Sequence, residues 1–388
     1  MPPISPHPAS SAKDESACEW TVCLAPSHWS AITTTMRAKK PGHYPADAAL
    51  GLEAGYTPAW ARLICLEGAD ETGYQKAERP LAETGAIQGS ARQIQRVVQR
   101  VGQDAQAWQE REAQPGRCDA PVMYVSADST GVPMRPKELA GRKGKQPDGT
   151  AKTRQVYLGC VFTQHRVDEK AIRCGIMNPP PMFPVSNPSL RLARRCVRKH
   201  CAAGLGSAGK VVVLIDGANG LENMGKDCFK GSVQIVDFYH ALEYAGRVLD
   251  ARLGKNHPDH KTRQRRWAKR LLKDKVGSLI KATRQACVGQ PQAQAVEEEL
   301  GCFERNIQRM QYGSFRAAGY FIGSGVVEAG CKTVIGARCK QSGMFWSRPG
   351  AENVLALRCI HSSRRLDPFW KHRLNQHAKR NDTLSLST

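Results

Sequence analysis

Apolar positions recur in two rhythms along the chain. Between Tyr56 and Gly102 the rhythm is helical. Ala77 and Leu81 mark one apolar face, Gly85 and Ile87 read as a turn, and Ser90 sits where an N-cap belongs. Ile94, Val97, Val98 and Val101 then recur at i, i+3, i+4 and i+7, opposite Arg92, Gln93, Arg96, Gln99 and Arg100. Helix, turn, and second helix with a basic face outline a helix-turn-helix, in which Arg92, Gln93 and Arg96 would read base edges in the major groove. A plain helical hairpin with a solvated face fits this pattern equally well.

From 121 to 237 the rhythm becomes that of strands. Val122 to Val125 is a short apolar run ending in Ser126-Ala127-Asp128, and Val156 to Phe162 is a second run. Val211 to Ile215 reads as a buried strand ending at Asp216-Gly217, and Val233 to Val236 as another ending at Asp237. Leu190 to His200 reads as a basic helix between them. Strands mixed with a helical crossover predict an α/β fold, a mixed sheet covered by helices.

Residues 238 to about 310 return to helical spacing. From Arg252 to Arg284, twelve Lys and Arg face only Asp259 and Asp274, above an apolar face of Trp267, Leu271, Leu272, Val276, Leu279 and Ile280. From Arg316 onward, twelve Lys and Arg face four acids. The chain divides into a Ser/Pro/Thr-rich arm (1–40), a helical domain (41–115), a sheet domain (116–240), a basic helical segment (241–322) and a last helix with a basic tail (323–388).

Composition sharpens this picture. At 388 residues the chain suits two or three units. A net charge of +22 makes a polyanion the first partner to consider, and nucleic acid the leading one. The longest purely aliphatic run, Val211 to Ile215, is far short of the ~20 residues a membrane helix needs, so no membrane role is expected. The start of the chain has no apolar signal region, which favours a cytoplasmic, nucleoid-associated protein. Fourteen scattered cysteines with no Cys-x-x-Cys pair read as reduced thiols.

Several patterns mislead. Gly204-Leu-Gly206-Ser-Ala-Gly209-Lys210 looks like a phosphate loop, but its expected helix precedes it and its strand follows, the reverse of what phosphate binding needs. The clusters His257-Asp259-His260 and Cys196-His200-Cys201 lack a second ligand pair at zinc spacing.

The acids at strand ends are the sharper signal. Asp128 and Asp216 would stand at the rim of the sheet, where ligands of open α/β sheets collect. Two such carboxylates are hard oxygen ligands for Mg²⁺, and a third on a packed helix would complete a two-metal site. Glu328, in Gly323-Ser-Gly-Val-Val-Glu328-Ala-Gly-Cys-Lys332, is that candidate, with Lys332 one turn on. Taken singly, each aspartate also fits a turn or cap, and Glu328 an intrahelical pair with Lys332.

These residues fall in ordered blocks. Asp128-Ser-Thr-Gly-Val-Pro-Met-Arg135 with Glu138-Leu-Ala-Gly-Arg-Lys-Gly-Lys145, then Leu214-Ile-Asp216-Gly-Ala, then Ser324-Gly-Val-Val-Glu328 continued by Arg338-Cys-Lys340-Gln-Ser-Gly-Met-Phe-Trp346, resemble the three catalytic blocks of bacterial insertion-sequence transposases of the Kra type. These belong to the Mutator-like group of DDE transposases. Asp237-Phe-Tyr-His240 resembles that group's Asp-x-x-His motif, and the resemblance spans about His43 to Trp370. It implies a ribonuclease-H-like mixed sheet with flanking helices and a helical insertion, to which the spacing over 56–102 adds an N-terminal helix-turn-helix-like DNA-binding domain. It implies Asp128, Asp216 and Glu328 as ligands of two Mg²⁺ (or Mn²⁺) ions, with Asp237 and His240 accessory. His240, of reference pKa ~6.5, would hydrogen-bond a phosphate, although an N-cap aspartate and a packed histidine fit the same pair.

The expected activity is cleavage of transposon ends and their joining to target DNA by two-metal hydrolysis and transesterification. The partner is double-stranded DNA, engaged by a homodimer or larger assembly. Arg265, Arg266, Lys269 and Arg270 would grip backbone phosphates, and Lys332, Arg338 and Lys340 would line the same DNA surface. The rivals are a DNA-binding protein without catalysis, such as a repurposed transposase, and a structure-selective nuclease that cuts without joining.

Overall fold

The computed structural model describes residues 52, 55–85, 88–111, 120–144, 146–164, 182–185, 209–217 and 229–385, of which 182–185 and 378–385 are described as backbone alone. The expected arm (1–40), Ile87, the basic helix over Leu190–His200, the Cys196-His200-Cys201 cluster and most of the false phosphate loop lie outside these residues.

A five-stranded sheet forms the centre, in the order β3-β2-β1-β4-β5. Strands β1 (Val122–Pro133) and β2 (Thr153–Gln164) pair antiparallel along their whole length, and β3 (Met182–Val185) pairs antiparallel with β2. Strands β4 (Lys210–Ile215) and β5 (Val233–Val236) run parallel to β1. The unbroken Val211–Ile215 run suits a strand covered on both faces, as parallel strands usually are. The result is a mixed α/β sheet with flanking helices, compatible with the ribonuclease-H-like expectation. One boundary differs from the sequence reading. β1 does not end at Asp128 but runs to Pro133, because β2 continues to hydrogen-bond past the point where β4 stops.

Among the described residues, three helices precede the sheet: α1 (Pro58–Asp70), α2 (Tyr74–Gly85) and α3 (Ala91–Arg111). Ile94, Val97, Val98 and Val101 are fully buried, as their spacing predicted. The N-terminus of α3 is a capping box. The Ser90 N–H donates to Gln93 Oε1 at 2.8 Å, and the Gln93 N–H reaches back toward the Ser90 hydroxyl at 3.4 Å. Helix α3 then lies against α10 (Arg348–Ser362), where Gly102 permits close approach: a Cβ there would sit 2.7 Å from the Asn353 carbonyl oxygen. Asn353 is held from both sides, donating to Gln99 Oε1 at 2.8 Å and accepting from Gln106 at 2.6 Å. Arg373, on α11 (Leu366–Ser385), reaches Asp104 of α3 at 2.9 Å. The helices over 58–111 therefore share one core with the end of the chain.

After β5 the chain enters five helices, α4 (Phe238–Leu253), α5 (His260–Leu271), α6 (Val276–Gln285), α7 (Ala293–Asn306) and α8 (Tyr312–Ala317). Trp267, Leu271, Leu279, Ile280, Leu300 and Phe303 bury their apolar faces against one another. The His257-Asp259-His260 cluster serves the fold: the Asp259 N–H donates to His257 Nδ1, and His260 Nε2 lies 3.0 Å from Asp250. The chain returns to the sheet beside its point of departure, where the Phe238 N–H donates to the Ile322 carbonyl at 2.9 Å. Helix α9 (Gly325–Gly330) follows, continued by a π-helical turn over Cys331–Gly336 and a last turn over Ala337–Cys339. Among the described residues, no helix is long and apolar enough to cross a membrane.

Candidate functional site

The parallel pairing of β1 with β4 sets the geometry of the acids. Ala127 opposes Ile215 in the last pair of that register, so the next residues, Asp128 and Asp216, leave adjacent strands at one level. Asp128 is half-buried; its Oδ1 accepts from the Ser129 N–H at 2.6 Å. Asp216 is also half-buried, and three side chains register its charge. Burial first and then Asp216 raise the pKa of Tyr157 on β2. Burial, Cys302 and Asp216 together push Tyr244 on α4 up to about 12. Asp216 also adds to the field that keeps His240 charged.

His240 and Asp237 form one unit. Asp237, 1% exposed, caps α4 by accepting from the His240 backbone N–H at 2.8 Å, and the same oxygen lies 3.2 Å from His240 Nδ1. Its other oxygen accepts from the Ser324 N–H, at the entrance to α9. Burial raises the pKa of Asp237, but the hydrogen bonds from His240 and Ser324 outweigh it and hold the carboxyl below its usual range. The hydrogen bond to Asp237 raises His240 to about 9, against an opposing desolvation cost, so the ring is an imidazolium at neutral pH. The cap that a bland reading of Asp-x-x-His predicts is present, and it also ties α4 to the helix that carries Glu328.

Helix α9 lies against β1. Cys331, 7% exposed, faces Asp128; burial first, and then that carboxylate, push its thiol far above the usual range. Glu328 stands one turn earlier on the same helix, a rise of ~5 Å. Its carboxylate is exposed and accepts from Lys332 Nζ at 2.8 Å, so the intrahelical pair is formed. Lys340 donates to the Thr130 hydroxyl, two residues past Asp128 on β1.

The donor chemistry of Asp128 and Asp216 suits a hard divalent cation. Glu328 is not gathered with them as it stands. Among the described residues, no three His, Cys, Asp or Glu side chains are close enough together to hold an ion.

The basic positions divide. Among the helices after β5, Arg266, Lys269 and Arg270 line a cleft of about 370 Å³, joined by Arg252 and Arg263, while Arg265 is exposed. The charge count had included Arg252 and Arg263 but could not place them. Arg92 and Arg96 are exposed on α3, whereas the Gln93 carboxamide is occupied by the capping box. Ser90-x-x-Gln93 is itself the sequence signal for that box. Arg338 corrects an expectation. It is 1% exposed, with Tyr74 and Trp346 each 4.9 Å from its guanidinium carbon and the Gly68 carbonyl at 3.3 Å. Such a side chain fastens the Ala337–Cys339 turn to α1 and α2 and cannot meet DNA.

No family model matches the chain, and no curated protein does. Among solved structures, it is similar to a chain of the Drosophila P element transposase strand transfer complex, at 12% identity over 84% of this chain and 83% of that one, with a TM-score of 0.30. A likeness that loose decides nothing about this chain.

Proposed function

We propose that this chain is a DDE-type transposase acting on double-stranded DNA. The observation that carries the reading is the register that brings Asp128 and Asp216 to one level of adjacent parallel strands, with the Glu328 helix lying against β1. In this reading Asp128 and Asp216 would hold two Mg²⁺ or Mn²⁺ ions, with Glu328 joining once its carboxylate turns away from Lys332. Ions held there would supply Lewis-acid stabilisation of phosphate charge and a water of lowered pKa.

The chain's own residues do the rest. His240 gives Nδ1 to Asp237 and keeps Nε2–H for an incoming phosphate oxygen, as a charge-assisted donor. Lys332, once released from Glu328, and Lys340 counter the strand's charge beside the carboxylates. Arg266, Lys269 and Arg270 grip backbone phosphates, and Arg92 and Arg96 face outward for a second contact. The reaction is strand cleavage at a transposon end, then attack of the freed 3′-hydroxyl on target DNA, within a dimer or larger assembly.

The test is nicking of supercoiled plasmid with and without Mg²⁺. Asp216→Asn is expected to abolish nicking while leaving DNA binding near normal; retained nicking would remove the triad. A second reading, a DNA-binding protein without catalysis, is favoured by the closed Glu328–Lys332 pair. It predicts no nicking by the wild type under any metal condition. Cutting without joining in a strand-transfer assay would instead favour a nuclease.

A further inference from the structure

A cleft of about 640 Å³ opens beside the far end of β1. Its floor is apolar, formed by Met134, Leu139, Ala151 and Phe345. Its rim is cationic, with Arg142, Lys143 and Lys152 all exposed. Among the described residues, none of those lining it is acidic. The nearby Asp148 is spent on its own loop, accepting from the Thr150 N–H and hydroxyl.

The walls are built rather than incidental. Trp346 continues the sheet: its N–H donates to the Pro133 carbonyl at 3.1 Å, and its carbonyl accepts from the Arg135 N–H at 2.9 Å. Its indole N–H donates to the Cys339 carbonyl, so its side chain is anchored inward. Neighbours in an extended segment point to opposite sides, and Phe345 is accordingly 51% exposed over the cleft. The opposite wall is a small hairpin in which Lys143 bridges Thr150 and the Ala151 N–H donates to the Arg142 carbonyl. Gly144 lets that hairpin close, since a Cβ there would lie 2.4 Å from the Ala151 Cα.

An exposed aromatic face ringed by cations complements one chemistry in particular, a planar base carried on phosphates. A base pair inside a duplex keeps both faces in the stack, so the ring is met most fully by an unpaired base. We infer that this cleft takes an unpaired nucleotide of a DNA strand, stacking its base on Phe345 and placing its phosphates at Arg142, Lys143 and Lys152. The inference rests on the reading that the chain acts on DNA. The cleft starts at Met134, just past the end of β1 and six residues on from Asp128, about 20 Å at the rise of a strand. A strand seated in it would therefore lead toward the carboxylates, and the site would favour ends whose terminal bases are open.

The experiment measures binding of full-length protein, in EDTA, to a labelled blunt duplex and to the same duplex with an unpaired tail carrying 2-aminopurine. Wild type is expected to prefer the tailed DNA and to quench the 2-aminopurine. Phe345→Ala is expected to weaken tailed binding about tenfold, in line with loss of one stacked base, and to leave duplex binding unchanged. Phe345→Trp is expected to restore both preference and quenching, which separates stacking from a folding defect. Equal affinity of the wild type for both DNAs, or an equal loss on both in Phe345→Ala, would overturn the cleft while leaving the transposase reading intact. Loss of the metal-dependent nicking prediction would remove that reading without changing this comparison.

Discussion

Asp237→Asn isolates the buried carboxylate that joins His240 to the Glu328 helix. Asparagine is as good an N-cap as aspartate and nearly the same size, so the cap to the His240 backbone survives. What is lost is the charge that holds the imidazolium. His240 stands at about 9 against 6.5 for a free histidine, a difference worth about 3 kcal/mol at ~1.4 kcal/mol per tenfold. The ring is 30% exposed, so screening brings the expected effect nearer ~2 kcal/mol. The sign follows from the raised pKa. This stability is fully present below pH ~6.5 and disappears as pH climbs through about 9, because only then does the folded protein release the proton. Urea unfolding of wild type and variant should therefore differ by about 2 kcal/mol near pH 6 and converge toward pH 10. NMR titration should move His240 back down toward its ordinary value, with burial lowering it and Asp216 and Glu243 opposing that. A stability gap that is flat from pH 6 to 10 would refute the reasoning.

Gly102→Ala sets helix propensity against space. Alanine gains about 1 kcal/mol in a helix interior, but its methyl would meet Asn353 backbone at under 3 Å, an overpacking cost of about 1–3 kcal/mol that neither helix can relieve by rotating a side chain. Net destabilisation in chemical denaturation is expected. Arg338→Ala should cost about 2 kcal/mol of stability by removing the desolvated cation between the Tyr74 and Trp346 rings, yet leave the salt dependence of DNA affinity unchanged. Arg266→Ala with Lys269→Ala should do the reverse, lowering the slope of log affinity against log salt by about 2 while the melting temperature holds.

Much of this was legible in the residues. Val233–Val236 is a strand with the bounds its apolar run predicts, and β4 differs by one residue. β1 was read short because Ser126, Ser129 and Thr130 interrupt the apolar pattern. They remain in the strand because β2 satisfies their backbone groups, a long-range partner that local patterning does not carry. The level of Asp128 with Asp216 follows from parallel pairing, also a non-local fact. Arg338 was visible as a cation but not as a buried one, since Gly68 and Tyr74 lie far away in the chain. The Glu328–Lys332 pair was foreseeable from its i, i+4 spacing, whereas the π-helical turn that follows has no signature in side-chain type.

The helical segment after β5 begins and ends at a single knot. Phe238 bonds to Ile322, and Asp237 receives Ser324, so everything between leaves the sheet and comes back through one doorway. Between its two ends the segment touches the sheet again, where Ile307–Arg309 meets β5 and where Tyr244 and Asn306 lie against Gly217. Residues beyond the doorway can therefore be lengthened or trimmed with the junction's own hydrogen bonds intact, which keeps Ser324, and the helix it opens, beside the end of β5.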